Sequence, residues 1–243
     1  LCLVKAHAPY HVDLHALRLK KDKLLGMVKI GLPAGIQGCS FSISNVLIQS
    51  SINSFGALAM AGNTAASNIE GFVSTAQDAF SQAALSFTGQ NVGAGQTKRV
   101  NRILPLCAAL VLGVGLALGS GAYLLGNQLL SIYSSDPEVI AFGMKRMAIC
   151  CVLQCVGGLM GVMVGTLRGM GYSFVPMAIT IGFVCGFRVI WIFTIFVQWH
   201  TLESLYVSYP ITWGLAALCD LICFFFVRKH LTRKQRLARE RAK

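Results

Sequence analysis

Apolar residues dominate six stretches of this chain, and short polar segments separate them. A helix needs about 20 mostly apolar residues to cross the hydrocarbon core of a bilayer, which is roughly 30 Å thick. All six stretches have that length, although a polar run at 63–82 interrupts the second one. The pattern predicts an all-α integral membrane protein with six transmembrane helices, at about 30–53, 57–92, 103–126, 138–167, 174–198 and 206–227.

The basic residues lie beside every second connection between these stretches. Four places hold 18 of the 21 Lys and Arg residues: 5–29, 98–102, Arg168 and 228–243. The other connections hold none: those near 53–57, 126–138 and 198–205. Basic loops stay on the cytoplasmic side of a membrane. We therefore expect a multi-pass protein of the cell membrane, with residues 1–29 as a cytoplasmic linker, 30–227 as the transmembrane lobe and 228–243 as a cytoplasmic tail.

Composition agrees with this interpretation and excludes an ordinary soluble domain. Mean hydropathy is +0.63, and only 12% of the residues are charged. The net charge of +12 is concentrated, because eight cations lie in the last 16 residues, directly after an apolar stretch. A basic segment in that position binds anionic lipid headgroups. We expect membrane lipids as partners and no nucleic acid.

The first 29 residues combine basic and apolar side chains, and 11–29 is predicted to lie as an amphipathic segment at the cytoplasmic interface. His7, His11 and His15 recur at every fourth residue, but Pro9 interrupts the face they would share. Scattered interfacial histidines are therefore favoured over a metal site. The chain begins with Leu, so we expect a fragment that lacks upstream sequence. The nine cysteines form no metal or disulfide framework.

Glycines recur at helical spacing in two of the stretches. Gly157, Gly161 and Gly165 are each four residues apart, and Gly182 and Gly186 repeat that spacing. Small residues at this interval let helix backbones approach closely in lipid. Both sets are therefore predicted to mark helix contacts.

Two acids in the second stretch give the clearest candidate site. Glu70 and Asp78 each lie about four residues, or roughly 6 Å, from the middle of that stretch. Charged carboxylates at membrane depth are costly and face a hydrated cavity or a partner. We expect both acids, with Gln77, to line a cavity that binds a coupling cation or the substrate. The alternative is that they lie near the outer end and are merely solvated.

Other polar residues inside the predicted helices are candidates of lower rank. Gln37 and Asn45 in the first stretch could line the same cavity, although amides also join helices by hydrogen bonds. Arg188 lies midway along the fifth stretch and needs a partner, for which Asp220 in the sixth stretch is one candidate and Glu70 and Asp78 are others. Such a pair would be structural or would gate transport. No arrangement typical of an enzyme is present, so no catalytic residue, metal or cofactor is expected.

Three short motifs lie near the ends of the predicted helices. The run 89–95 (GQNVGAG) leaves the second stretch just before a basic loop, and 30–37 (IGLPAGIQ) opens the first. The third is 168–171 (RGMG), followed by Pro176 and Met177. Together these motifs resemble those of the multidrug and toxic compound extrusion transporters, in which the third is similar to the loop between the tenth and eleventh helices. The resemblance spans nearly all of 24–227.

The resemblance implies a twelve-helix antiporter of two six-helix lobes, of which this chain supplies helices seven to twelve. It implies export of cationic amphipathic compounds in exchange for Na⁺ or H⁺, with a first lobe as partner. The branch of the family with acids in this lobe carries them on helices seven and ten. Here 30–53 holds no Asp or Glu, and 138–167 holds none after Glu138 at its first position, so that cation site is not carried over. A lipid-linked saccharide flippase of similar architecture, or a non-transporting scaffold, remains as an alternative.

Overall fold

The structure, a computed structural model, describes residues 20–241 and contains no strand in that range. The three N-terminal histidines and the first part of the segment 11–29 lie outside the described residues. The helices, labelled in chain order, are α1 (Lys21–Asn53), α2 (Ala57–Gly93), α3 (Thr97–Leu124), α4 (Gly126–Ser131), α5 (Pro137–Cys151), α6 (Gln154–Gly169), α7 (Phe174–Phe196) and α8 (Leu202–Arg241).

The predicted spans correspond to helices that are mostly longer. α1 already begins at Lys21, so residues 21–29 of the basic segment continue directly into it. α8 extends beyond the predicted end at 227 into the basic tail, as far as Arg241. The predicted fourth helix is divided into α5 and α6, which meet at an angle of 42°.

Four helices, α1, α3, α7 and α8, are long and apolar enough to cross a membrane, and α5 with α6 forms a fifth span if the bent pair counts as one. α2 has 37 residues but is not among them, because polar side chains interrupt it. Some of those side chains point inwards: Asn63, Glu70, Gln77 and Thr88 are buried. The exposed side of α2 is mixed, with the rings of Phe72 and Phe87 beside other polar residues. α2 thus supplies polar side chains to the interior of the lobe.

Glycines bring α2 and α6 into backbone contact. A Cβ atom on Gly161 would lie 2.5 Å from the Ser81 hydroxyl oxygen. One on Gly165 would overlap the Ser81 carbonyl oxygen, and Gly157 faces the Trp213 ring of α8. The predicted contact ridge on α6 is therefore confirmed.

The second predicted glycine contact, in α7, is wrong. A Cβ atom on Gly182 would meet nothing within 4 Å, and one on Gly186 would reach only the carbonyl oxygen of Ile181 in its own helix. Residues 180–186 form a π-helical stretch. The regular α-helical winding that the prediction assumed is therefore absent from this part of α7.

Two of the family-like motifs end helices and also meet in space. Gly95, after α2, and Gly171, after α6, have φ angles of +72° and +88°, in the left-handed region that glycine adopts without strain. A Cβ atom on Gly169 would lie 2.7 Å from the Leu85 carbonyl oxygen and 3.1 Å from the Gly89 amide nitrogen. Glycine at these positions allows both the turns and the close crossing.

Candidate functional site

A cavity of about 250 Å³ lies between α1, α2, the α5–α6 pair and α8, and it is open to the surface of the lobe, where Asn45 and Ser67 are exposed. Its polar lining comes mainly from α1 and α2, with one cation from α5, and includes Asn45, Gln49, Asn63, Ser67, Glu70 and Arg146. Aromatic rings of Phe41, Tyr209 and Trp213 complete the wall. The cavity can therefore hold water or a small amphipathic molecule.

An ion pair between α2 and α5 forms one side of the cavity. Arg146 Nε donates to Glu70 Oε1 over 2.9 Å, and Nη2 donates to Oε2 over 2.7 Å. Nη1 donates to Asn63 Oδ1 over 2.7 Å, and Asn63 Nδ2 donates to Gln49 Oε1 over 2.8 Å. Only 7% of Glu70 and 6% of Arg146 are exposed. A two-point pair with every guanidinium nitrogen bonded is the geometry in which buried charges are tolerated.

Close packing at the start of α5 holds this pair in place. Asp136 caps α5 by accepting the Glu138 amide proton over 2.9 Å, and Pro137 occupies the first helical position. A Cβ atom on Gly62 would lie 2.5 Å from the Val139 carbonyl oxygen, so α2 and α5 touch there through their backbones. The crossing lies two turns from Glu70 and brings the two charged side chains within reach.

Arg188 of α7 lies behind the opposite wall and is 1% exposed. Its Nη1 donates to Asn45 Oδ1 over 3.3 Å, while Nε and Nη2 have no hydrogen-bond partner. The guanidinium carbon is 4.1 Å from the centre of the Tyr209 ring, and the Arg146 guanidinium is 5.4 Å from the same ring. Two cations therefore flank one tyrosine, an arrangement that cation–π attraction stabilises.

A second polar group lies away from the cavity, near the end of α6. Arg168 Nη2 donates to Gln37 Oε1 over 2.5 Å, and Gln37 Nε2 donates to Thr180 Oγ1 over 2.7 Å. Asp220 is fully buried, and neither of its carboxylate oxygens has a hydrogen-bond partner. Arg168 interacts with Asp220 electrostatically but forms no ion pair with it.

Neutralising Asp220 is expected to stabilise the lobe. Asn has the same shape without the charge, and a buried polar group without partners costs about 1–3 kcal/mol, with more for a charged one. We expect Asp220→Asn to raise the free energy of unfolding in detergent by about 1–3 kcal/mol at neutral pH. A lower stability would instead mean that the attraction of Arg168 outweighs the burial of the carboxylate.

The structure places the two predicted acids in different environments. Glu70 lines the cavity as predicted, but Arg146 neutralises it. Asp78 is exposed and is not among the residues that line the cavity. The prediction that both acids share one cavity is therefore wrong.

The three amide residues predicted to line the cavity also lie in different places. Asn45 lines the cavity, whereas Gln37 joins α1 to Arg168 and Thr180. Gln77 is buried between glycines of α3 and α6, outside the cavity, and its Nε2 has no partner.

The predicted ion pair between Arg188 and Asp220 is not formed. Arg188 donates to Asn45, and neither carboxylate oxygen of Asp220 has a partner. Glu70 pairs with Arg146 instead, and Asp78 forms no ion pair with Arg188 either.

Arg146 is the functional candidate that the sequence analysis missed. The sequence does contain a signal for a buried charge at this position. Asp136 and Pro137 mark the start of the helix, and Arg146 follows Pro137 by nine residues, or about 14 Å along the axis. A charge at that depth is not at the solvated end of the helix. No group of three or more His, Cys, Asp or Glu side chains that could hold a metal occurs within the described part of the chain.

Comparisons with known proteins agree with this architecture. The chain is 24% identical over 221 residues to the probable multidrug resistance protein YoeA of Bacillus subtilis, covering 89% of this chain and 48% of that protein. It is 25% identical over 171 residues to the probable multidrug resistance protein NorM of Aromatoleum aromaticum, covering 70% and 37%. The chain thus spans about half or less of the length of these curated relatives.

The fold itself is that of solved transporters. The crystal structure of MATE in complex with MaL6 superposes with a TM-score of 0.82 at 17% identity, over 93% of this chain and 52% of that one. The Vibrio cholerae MATE transporter VcmN in the bent form gives 0.76 at 18% identity, over 94% and 51%. The MatE family model matches residues 33–193, about two thirds of the sequence. This chain therefore belongs to the MatE family.

Proposed function

We propose that this chain forms one six-helix lobe of a secondary active exporter, which moves amphipathic small molecules out of the cell in exchange for Na⁺ or H⁺ by alternating access. The observation that carries the proposal is the polar cavity inside an apolar helix bundle, with the buried Glu70–Arg146 pair in its wall. Charged residues at membrane depth are expensive and mark substrate or ion pathways. Membership of the MatE family, and relatives named for multidrug resistance, support the same function.

The proposal requires a second lobe, because the chain matches only about half of the solved transporters. We place the start of α1 and the end of α8 on the cytoplasmic side of the cell membrane, since basic residues are concentrated in the first turns of α1 and in the last turns of α8. The buried charged network argues against a purely structural scaffold, because packing alone does not require charges.

The charge of the transported molecule is a separate question within this proposal. The resemblance implies cationic substrates, which need an uncompensated acid. Glu70 does not provide one, because Arg146 neutralises it. Within the described residues, a cationic substrate would find its counter-charge at Asp78, on the exposed face of α2.

A lipid-linked saccharide flippase is the second candidate, and one observation favours it. A groove for a pyrophosphate is expected to be basic, and the lobe buries two guanidinium groups, Arg146 and Arg188. Arg146 is paired, however, so Arg188 is the one guanidinium group near the cavity without an ion-pair partner among the described residues. The relatives named for multidrug resistance favour the exporter.

An efflux assay tests the exporter. We expect the complete transporter, expressed in a host without its own pumps, to lower the cellular content of the cationic dye rhodamine 6G. Collapse of either the Na⁺ or the proton gradient should abolish this effect and thereby identify the coupling ion. Efflux that survives the collapse of both gradients would contradict ion exchange.

Asp78→Asn is expected to reduce rhodamine 6G export by about fivefold, because an exposed charge pair contributes at most about 1 kcal/mol. Glu203→Gln is the matched control, since Glu203 is an exposed acid that pairs with Lys145 far along the chain from the cavity residues of α2. An equal effect of both substitutions would remove Asp78 from the substrate path.

A further inference from the structure

We infer that the cavity of this lobe binds an anionic group, the carboxylate or phosphate of an amphipathic molecule, at the Arg188 guanidinium. The inference rests on the proposed transport function for its biological meaning, and it names the chemical class of the group that this cavity takes. Neither Glu70 nor Asp78 provides a cation site there, so it departs from the expectation of a cationic substrate.

The balance of charges around the cavity is positive. Glu70 and Arg146 neutralise each other through two hydrogen bonds. Arg188 remains, and no carboxylate of the described residues forms an ion pair with it. The groups that interact with it electrostatically are Tyr209, two cysteine thiols and Arg146, none of which is a carboxylate.

The hydrogen bonding of Arg188 is also incomplete. Its one bond, from Nη1 to Asn45 Oδ1, is 3.3 Å long and joins it to a neutral amide. The two remaining nitrogen positions, Nε and Nη2, have no partner. Burial of a guanidinium whose N–H groups lack acceptors costs free energy, unless a ligand supplies those acceptors. The planar fork of arginine matches the two oxygens of a carboxylate or phosphate.

The position of Arg188 connects it to the cavity. It contacts Asn45, Tyr209 at 4.1 Å and Phe41 at 5.9 Å, and all three of these residues line the cavity wall. Asn45 accepts its hydrogen bond. A substrate carboxylate would displace the Asn45 oxygen from Nη1 and accept from the free nitrogens as well. The rings of Phe41, Tyr209 and Trp213 would pack against the apolar part of the molecule.

The decisive variant is Asn45→Asp, which places a carboxylate of the protein at the proposed site. We expect the melting temperature of the purified transporter to rise, because Arg188 gains a charged partner. Binding of carboxyfluorescein, followed by its fluorescence polarisation, should weaken by about tenfold to a hundredfold, the range that a charged hydrogen bond contributes. The control is Asn53→Asp, the same substitution two turns along α1 at an exposed position, which should leave binding unchanged.

Arg188→Lys and Arg188→Gln form the second arm. The Lys variant keeps the positive charge but loses the planar guanidinium, which can donate two parallel hydrogen bonds. Carboxyfluorescein should therefore bind most tightly to the native protein, less tightly to the Lys variant and least tightly to the Gln variant. Equal dye binding by the native protein and Asn45→Asp would overturn the inference, even if the Arg188 variants fail to fold. So would a loss of the same size in Asn45→Asp and Asn53→Asp.

Competition identifies the source of the anion. Displacement of carboxyfluorescein by laurate indicates a carboxylate amphiphile, whereas displacement by a polyisoprenyl pyrophosphate indicates a lipid-linked phosphate; displacement by neither overturns the site. The outcome is separable from that of the transport proposal, because binding to purified protein needs no gradient. Arg188-dependent binding without gradient-driven efflux would contradict the exporter and support the site. Gradient-driven efflux of rhodamine 6G, together with carboxyfluorescein binding that does not depend on Arg188, would support the exporter and contradict the site.

Discussion

Replacement of Arg146 with Gln is expected to lower the free energy of unfolding by about 3–5 kcal/mol, the cost of removing one member of a buried ion pair. The change leaves the Glu70 carboxylate buried without its counter-charge and Asn63 Oδ1 without its donor. Glu70→Gln should have a similar effect, because the Arg146 guanidinium is then uncompensated. Chemical unfolding in detergent, followed by circular dichroism, measures both.

The neighbouring residue provides the control for this prediction. Lys145 pairs with Glu203 over 2.9 Å, but their side chains are 50% and 47% exposed. We expect Lys145→Gln to cost about 0–1 kcal/mol, as for other surface pairs. The double variant Glu70→Met with Arg146→Met should recover much of the lost stability, since apolar residues of similar volume can replace a buried pair. If Arg146→Gln costs no more than Lys145→Gln, the pair does not hold α2 and α5 together.

Gly119→Ala is expected to destabilise the lobe by about 3 kcal/mol, the upper end of the range for overpacking, or by more. A methyl group there would overlap the Cys151 carbonyl oxygen, where α3 crosses the end of α5. The obstacle is a backbone atom, which cannot rotate away as the end of a side chain can. The helices must therefore separate, and contacts along the whole crossing weaken.

Gly121→Ala, two residues further along α3, is the matched control. A methyl group there meets nothing within 4 Å. Ala is a better helix former than Gly, so this variant should gain about 0.5–1 kcal/mol of stability. Melting temperatures of the two variants in the same detergent should shift in opposite directions. A shift in the same direction would show that helix propensity, rather than the close crossing, determines the effect at Gly119.

The sequence predicted the helices and their order well, because apolar length and the positions of Lys and Arg depend on the bilayer and not on tertiary contacts. It also identified Glu70, since an acid in such a stretch is rarely without a role. Identification of its partner required the tertiary fold, because Arg146 lies 76 residues away on another helix. The same holds for Arg188, whose contact Asn45 is 143 residues distant.

Changes in helical winding explain another part of the difference between the helix faces predicted from the sequence and those in the structure. α5 contains a π-helical stretch directly after Arg146, at Met147–Cys151, and α7 contains one before Arg188, at Thr180–Gly186. Each extra residue in a turn rotates all later side chains by about 100° relative to a regular helix. Assignments of faces by 3.6-residue periodicity are therefore unreliable beyond these points, and no simple sequence signal announces them.

The lobe has two parts that differ in how closely their helices pack at glycine residues. In α2, α3, α5 and α6 many glycines touch the backbone of a neighbouring helix, whereas Gly31, Gly35 and Gly38 of α1 and Gly182 of α7 have nothing within 4 Å. α1 and α7 are instead joined by the bonds Gln37–Thr180 and Arg188–Asn45. Water can substitute for such bonds at little cost, but nothing can substitute for interlocked backbones. We therefore expect α1 and α7 to move together relative to the other helices, which stay fixed to one another. Asn45, which belongs to α1, would move with them.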